Sequence, residues 1–225
     1  MSDAITKDRI RVIEVKKSIF EDNDKDAIKL RKQMKEEKTF LLNLMSSPGS
    51  GKTTTLLALA KELKGQLNMG VMEADIDSIV DAKIMEDAGI PSIQIHTGGM
   101  CHLDADMTRQ GLSEFGTKDM DLVVLENVGN LVCPAEFDTG ASKNATILSV
   151  PEGDDKPLKY PLMYEKCDLL IVNKIDVMDY FDFDKQQLIK NARMRNPNIE
   201  IIFISAKTGE GMGQLGKWMI ENTRR

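Results

Sequence analysis

The 225-residue sequence has few aromatic side chains and few cysteines, and it contains no long apolar run. Its longest apolar stretches, such as residues 40–45 and 169–172, are far shorter than the roughly 20 residues of a membrane span, so no membrane association is expected. A net charge of -6 gives no general attraction to nucleic acid, which we do not expect as a partner. Three cysteines, without a signal peptide, indicate a reducing compartment, and we expect a cytoplasmic protein.

The remaining composition is that of an ordinary globular protein, with 41% hydrophobic and 29% charged residues. Residues 1–38 show broken helical periodicity among many charges, which predicts one or two amphipathic helices. From residue 39 onward, short apolar runs alternate with amphipathic segments, which is typical of an α/β domain. We therefore predict an N-terminal helical segment, residues 1–38, and one α/β domain, residues 39–225.

Two continuous apolar runs, residues 122–125 and 169–172, indicate strands that are buried on both faces, as in a parallel sheet. We predict a doubly wound, mostly parallel sheet with helices on both faces. The predicted strands are residues 40–45, 70–74, 92–95, 121–126, 146–150, 169–173 and 199–205. The predicted helices are residues 51–65, 78–88, 104–115, 160–166, 184–195 and 211–222, and the turn 151–157 is interpreted as a surface loop.

A glycine-rich turn joins the first predicted strand to the first helix of this domain. Its sequence, Ser46-Ser-Pro-Gly-Ser-Gly-Lys-Thr53, is typical of a P-loop, whose backbone N–H groups and helix N-terminus bind phosphate. The usual pattern begins with glycine, and Ser46 departs from it. We predict a P-loop NTPase fold in which Lys52 contacts the β- and γ-phosphates and the Thr53 hydroxyl binds Mg²⁺. The predicted phosphate-binding residues are Gly49, Ser50, Gly51, Lys52, Thr53 and Thr54.

The segment Asn173-Lys-Ile-Asp176 directly follows a predicted strand. An aspartate at this place can accept hydrogen bonds from the ring N–H and the exocyclic amine of guanine, a donor pair that adenine lacks. Lys174 would stack along the base, and the turn Ser205-Ala206-Lys207 could direct a backbone N–H at guanine O6. We therefore predict that GTP and GDP are the nucleotides.

Acidic residues follow two other strands that end near the predicted phosphate site. We expect Asp81 and Glu126 to complete the Mg²⁺ shell with Thr53 and Asp75 to orient the hydrolytic water. The predicted catalytic residues are thus Lys52, Asp75 and Glu126. No arginine is placed to stabilise the transition state, so slow intrinsic turnover is expected.

Two thiols and one imidazole form a soft ligand set: Cys101, His102 and Cys133. Such a set suits Zn²⁺ or Ni²⁺, but three ligands leave a tetrahedral site open, to be completed by water or by a second subunit. Spacing alone leaves the alternative that these cysteines are buried apolar residues. Cys167 is interpreted as core packing and His96 as a polar strand end.

Three segments together resemble the hydrogenase nickel-insertion GTPases, over the chain from about residue 9 to its end. They are the P-loop with its Ser46, which is usual in that family, Thr97-Gly-Gly-Met-Cys-His-Leu-Asp104, and Glu126-Asn-Val-Gly-Asn-Leu-Val-Cys-Pro-Ala135. The resemblance implies a GTPase that helps deliver nickel to nickel-iron hydrogenase through its large-subunit precursor. It also implies a GTP-promoted homodimer that binds Zn²⁺ or Ni²⁺ through Cys101, His102 and Cys133.

The N-terminal segment, with Ile10, Val12 and Ile13, resembles the part that docks a small zinc-containing partner chaperone; the alternative is a helix packed on its own domain. The sequence contains neither the N-terminal cysteine motif nor the histidine-rich stretch of some family members, so tight N-terminal nickel binding and nickel storage are not expected. Cys133 lies seven residues after Glu126. Hydrolysis could therefore shift a metal ligand, and we predict that GTP and GDP states differ in metal affinity or dimerisation.

Three other functions are compatible with parts of the sequence. A GTPase serving urease would carry a Cys-Pro-His order, which is absent here. A small-molecule kinase would need an arginine-rich lid and has little use for a guanine motif. A metal-binding scaffold with a structural nucleotide would retain its metal function after loss of Lys52.

Overall fold

The computed structural model describes the backbone of residues 3–75 and 80–224, and the side chains of residues 20–74 and 84–224. Seven strands form one sheet in the order β3-β2-β4-β1-β5-β6-β7, and every neighbouring pair is parallel. The strands are β1 (Phe40–Ser46), β2 (Met69–Asp75), β3 (Ser92–His96), β4 (Leu122–Glu126), β5 (Lys143–Ser149), β6 (Leu169–Asn173) and β7 (Glu200–Phe203). This confirms the predicted doubly wound P-loop fold, with a wholly parallel sheet.

Helices cover both faces of the sheet. They are α1 (Asp3–Glu37), α2 (Lys52–Leu63), α3 (Val80–Asp87), α4 (Ala105–Phe115), α5 (Cys133–Glu136), α6 (Lys156–Lys159), α7 (Pro161–Lys166), α8 (Lys185–Arg195) and α9 (Met212–Thr223). Short 3-10 helices span Val150–Glu152 and Ile175–Tyr180. Among the described residues, no helix combines the length and apolar character needed to cross a membrane.

The apolar central strands explain why helices are needed on both sides. β4 and β6 are buried along their whole length, and a parallel strand of this kind must be covered on both faces. Leu56, Leu59 and Trp218, from α2 and α9, belong to the core on one face. The helices α1, α4, α7 and α8 contribute to two apolar clusters that include Met34 and Leu188.

The C-terminal part of α1 packs into the core of the sheet domain. Leu30 and Met34 are buried in the same cluster as Leu41 of β1, and Arg31 forms an ion pair with Asp138. The side chains of residues 1–19, with Ile10, Val12 and Ile13, lie outside the described residues. The division of the chain into two parts at residue 38 stays a prediction. It can be tested through the side chains of α1 that are buried in the core.

Two local predictions differ from the structure. β5 begins three residues before the predicted strand, at Lys143, which is paired with Leu42 of β1. The apolar pattern misses this start because Asn144 is polar; its side chain accepts a hydrogen bond from Asn43 at 2.9 Å. Residues 151–157 are not an irregular surface loop, since they include the end of a 3-10 helix and the start of α6. Within this segment Pro157 is buried, and Glu152 reaches the P-loop, as described below.

The buried face of α1 predicts that Met34→Ala destabilises the whole domain. Met34 is fully buried, and truncation of a buried methionine to alanine costs about 2–5 kcal/mol. Gln33→Ala, one residue earlier on the exposed face, should change the free energy of unfolding by less than about 0.5 kcal/mol. Urea unfolding of both variants measures this. Equal stability of the two variants would show that α1 is not part of the domain core.

Candidate functional site

The carboxyl ends of the central strands meet at one edge of the sheet, where a cleft of about 520 Å³ lies between the connecting loops. This is the edge at which doubly wound sheets bind ligands. Residues of four separate segments line it, among them Gly49, Lys52, Thr53, Glu73, Glu126 and Lys174. The structure therefore brings the predicted phosphate residues together with the end of β4 and the start of the guanine motif.

The P-loop connects β1 to α2 through two glycines in the left-handed region, Gly49 with φ 76° and Gly51 with φ 96°. A Cβ atom at Gly51 would lie only 2.5 Å from Nδ2 of Asn173. Backbone conformation and close approach thus both require glycine at this position. The first turn of α2 begins at Lys52, and a helix N-terminus, with its backbone N–H groups and positive dipole end, is a suitable anion site.

Lys52 is held at the floor of the cleft by two neighbours. Its Nζ donates to Oγ of Ser46 at 3.1 Å and lies 3.9 Å from a carboxylate oxygen of Glu126. Ser46 is fully buried, so the residue that departs from the common motif has a structural task, the orientation of the P-loop lysine. Glycine at this position would lack the hydroxyl.

Acidic side chains also lie side by side near the carboxyl ends of two adjacent strands. Glu126 at the end of β4 and Glu73 in β2 are both buried and both line the cleft. Glu73 was not among the predicted site residues, although its place one strand away from Glu126 could have indicated it. The side chains of Asp75 and Asp81, predicted for water and Mg²⁺, lie outside the described residues.

Asn173 joins the P-loop to the predicted base site. Its amide Nδ2 donates to the Ser50 carbonyl oxygen at 3.0 Å, and its Oδ1 accepts from the backbone N–H of Lys174 at 2.7 Å and of Ala206 at 3.1 Å. Lys174 has a positive φ of 65° and donates from Nζ to the Gly49 carbonyl oxygen at 2.7 Å. Because Asn173 is buried, these bonds fix the two motifs relative to each other.

The aspartate of the base motif is oriented by the turn that follows β7. The Ser205 hydroxyl donates to Oδ1 of Asp176 at 2.6 Å and accepts from the backbone N–H of Thr208 at 3.1 Å. Asp176 is half-buried and Lys207 is exposed. The structure therefore joins Asn173, Asp176 and the predicted turn in one hydrogen-bonded unit.

The two thiols of the predicted metal set lie side by side. A hydrogen bond with Cys101, together with burial, raises the pKa of the Cys133 thiol, and Sγ of Cys101 lies 3.9 Å from Nδ1 of His102. Burial lowers the pKa of His102, against the opposing effect of the Asp104 carboxylate. Within the described ranges, however, no three histidine, cysteine or acidic side chains come together to hold a metal ion. One chain thus offers a partial ligand set.

Asn127 connects the nucleotide cleft to the segment that carries Cys101 and His102. It directly follows Glu126, lines the cleft and is fully buried. Its Oδ1 accepts from the backbone N–H of Leu103 at 3.2 Å and of Val128 at 2.9 Å, and its Nδ2 donates to Asn43 in β1 at 3.0 Å. Sequence reasoning missed this residue, since only its tertiary partners reveal its role.

Glu152 was missed as well. One of its carboxylate oxygens accepts from the Ser47 hydroxyl of the P-loop, and the other accepts from the backbone N–H and the hydroxyl of Ser149, each at 2.8 Å. The segment after β5 therefore supports the P-loop. The remaining polar predictions agree with the structure: Cys167 is buried in the core, and His96 is exposed at the end of β3.

Comparison with known proteins identifies the family to which this chain belongs. The family profile described as CobW/HypB/UreG, nucleotide-binding domain, matches residues 40–203. The hydrogenase maturation factor HypB of Escherichia coli (strain K12) is 44% identical over 93% of this chain and 72% of its own length.

Two solved structures extend the likeness to the whole fold. The structure of HypB from Helicobacter pylori in complex with nickel has a TM-score of 0.85 and 37% identity, covering 90% of this chain and 95% of that chain. The hydrogenase maturation factor HypB from Archaeoglobus fulgidus has a TM-score of 0.83 and 33% identity, covering 90% of this chain and 98% of that chain. From its profile, its sequence and its fold, this chain belongs to the HypB family of hydrogenase maturation factors, P-loop proteins of the GTPase class.

Proposed function

We propose that this chain binds and slowly hydrolyses GTP, and that the nucleotide state regulates the delivery of nickel to a nickel-iron hydrogenase during maturation. One observation carries the proposal: a single strand, β4, ends with Glu126 in the nucleotide cleft and continues through Asn127 towards Cys133 of the metal set. The short segment 126–133 therefore contacts both the nucleotide cleft and the proposed metal site.

In this proposal the P-loop binds the phosphates of GTP or GDP. Backbone N–H groups at the start of α2 face the anion, and Lys52, 12% exposed in the cleft, carries the positive charge that the β- and γ-phosphates require. The other contributing residues are Gly49, Ser50, Gly51, Thr53 and Thr54. Mg²⁺ would take the Thr53 hydroxyl, phosphate oxygens and the carboxylates of Asp81 and Glu126, directly or through water.

Guanine is read by the unit built on Asn173. The Asp176 carboxylate, oriented by Ser205, accepts from the two N–H donors at the edge of guanine, while Lys174 covers the base from one side. The turn that contains Ala206 and Lys207 would direct a backbone N–H at guanine O6. Adenine would leave the Asp176 acceptors unpaired, which strongly favours GTP.

Hydrolysis needs a water molecule in line with the γ-phosphate. We assign the orientation of this water to Asp75, and the stabilisation of charge to Lys52 and the Mg²⁺ held near Glu126. Without an arginine supplied to the phosphates, the turnover is slow. Such a rate suits a timing device in which each hydrolysis event permits one transfer of metal.

The metal carried by the chain is Ni²⁺ or Zn²⁺, bound by Cys101, His102 and Cys133. The adjacent thiols and the nearby imidazole suit either ion, and the H. pylori relative was solved with nickel. Because one chain supplies a partial set, a second copy completes the site in a GTP-promoted homodimer. Met100 and Val132 flank the thiols with 38% and 50% of their surface exposed, which supports an interface at this place.

The partners we propose are the hydrogenase large-subunit precursor and a small zinc-containing nickel chaperone, which docks on the segment 1–38, leaving residues 39–225 as the GTPase domain. All three cysteines are free, which suits the reducing cytoplasm that we propose as the compartment.

Lys52→Ala should weaken GTP binding about 10–100-fold, because a charge-assisted hydrogen bond contributes roughly 1.5–3 kcal/mol, and should abolish hydrolysis. Lys61→Ala, on the exposed side of the same helix, is the matched control and should behave as the wild type. Fluorescent-nucleotide titration and phosphate release measure the two effects. If Lys52→Ala still hydrolysed GTP at the wild-type rate, the chain would not act as a P-loop GTPase.

Cys101→Ala removes a direct ligand and should weaken Ni²⁺ and Zn²⁺ binding at least as much as the roughly 10–100-fold that loss of an outer-shell partner costs. Competition with a chromophoric chelator measures the two affinities. Cys167→Ala removes the buried third thiol and should leave both affinities unchanged. If Cys101→Ala bound Ni²⁺ and Zn²⁺ as tightly as the wild type, Cys101 would be a packing residue, which would contradict the proposed metal site.

A further inference from the structure

A column of three aromatic rings runs from α1 to the proposed metal site. The imidazole of His102 stacks on Phe137, with ring centroids 3.7 Å apart and planes 11° apart. Phe137 in turn stacks on Phe20 of α1 at a centroid distance of 4.9 Å. Nothing in the proposed chemistry of nucleotide or metal uses either phenylalanine.

Stacking covers one face of the imidazole and leaves its two nitrogens at the ring edge. Nδ1 lies 3.9 Å from Sγ of Cys101. An ion bound at about 2.3 Å from sulfur and about 2.0–2.1 Å from nitrogen, at an angle between tetrahedral and roughly 125°, would hold these two atoms about 3.5–3.9 Å apart. The ring orientation fixed by Phe137 is therefore already the one in which Nδ1 and the Cys101 thiolate can bind the same ion.

Helix α1 also holds the backbone around both ligand segments. Oδ1 of Asn23 accepts from the backbone N–H of Ala105, just after His102, at 2.9 Å. Nδ2 of the same side chain donates to the carbonyl oxygen of Asp138, next to Phe137, at 3.0 Å. One terminal nitrogen of Arg31, Nη2, donates to both carboxylate oxygens of Asp138, at 2.6 and 2.8 Å. The segment after Cys133 and the segment after His102 are thus fixed to one helix.

We propose that Phe137, supported by Phe20 on α1, is a positioning residue that presents Nδ1 of His102 to the metal ion bound by Cys101. This inference rests on the proposed metal site. It makes the metal affinity of the chain dependent on α1, so that a partner that displaces Phe20 or Asn23 would weaken the hold on the ion. Phe137 acts through His102 and does not itself touch the metal.

The first measurement needs no metal. The face of Phe137 shields the His102 ring protons, so Phe137→Leu should move the His102 imidazole resonances downfield in the proton NMR spectrum. The chain has only two histidines, and the exposed His96 supplies an unshifted internal reference. Phe137→Tyr keeps an aromatic face and should keep the wild-type shift.

The second measurement is Ni²⁺ and Zn²⁺ affinity, by chelator competition on the full chain. Phe137→Leu should lose about 10–100-fold, the effect of removing an outer-shell partner, and Phe20→Leu should lose affinity in the same direction. Phe137→Tyr keeps an aromatic ring and should bind both ions as tightly as the wild type. Phe181→Leu, which alters an exposed phenylalanine after the base motif, is the matched control and should bind metal as the wild type does.

The outcomes separate this inference from the proposed function. If His102→Ala weakens metal binding and Phe137→Leu does not, the positioning role is wrong and the metal site stands. If neither His102→Ala nor Cys101→Ala changes the affinity, the metal site itself is wrong. Loss of GDP affinity by Phe137→Leu would assign Phe137 to packing alone and overturn the inference. Metal binding by Phe137→Tyr as weak as that of Phe137→Leu would overturn it as well.

Discussion

The buried amide of Asn127 is the contact on which the functional architecture depends. It lies at the end of β4, beside the carboxylate that faces Lys52, and it binds the backbone of Leu103, the residue after His102. Each buried hydrogen-bond donor or acceptor that is left without a partner costs about 1–3 kcal/mol of folding free energy. In the proposed function, a displacement of the β4 end by the γ-phosphate or Mg²⁺ would be transmitted through this hydrogen bond to the loop that carries Cys101 and His102. Coupling between nucleotide and metal then needs no large domain movement.

The parallel sheet makes this arrangement possible. All strands point the same way, so the segments after β1, β2, β4 and β6 emerge at one edge, where polar loops can contact one another. Hydrogen bonds connect the segments along that edge: Asn173 joins the base motif to the P-loop, Glu152 accepts from Ser47, and Asn23 of α1 contacts the segments around Ala105 and Asp138. The segment proposed to couple the two sites is thus short, and it lies between the phosphate cleft and the segments bound by α1.

Much of this fold could be predicted from the sequence because its signals are local. Strands such as β4 are uninterrupted apolar runs, and the P-loop and the Asn173 motif are contiguous segments whose chemistry is set by their own residues. The predicted metal ligands are different, because spacing alone does not distinguish ligands from packing cysteines and only the resemblance to a family favours a metal site. Asn127, Glu152 and the Phe137 stack escaped prediction for the same physical reason. Each acts through partners distant in sequence, and polar residues such as Asn144 inside a strand weaken the periodic pattern that sequence reasoning follows.

In the proposed function, the nucleotide state and the metal site communicate through the segment from Glu126 to Cys133. The direct test is the dissociation constant for Ni²⁺ of the wild-type chain, measured with saturating GDP and with a non-hydrolysable GTP analogue, together with the dimer dissociation constant in each state. Coupling through this segment predicts that Ni²⁺ affinity or dimer stability differs between the two nucleotide states. Equal Ni²⁺ affinity and equal dimer dissociation constants in both states would contradict it.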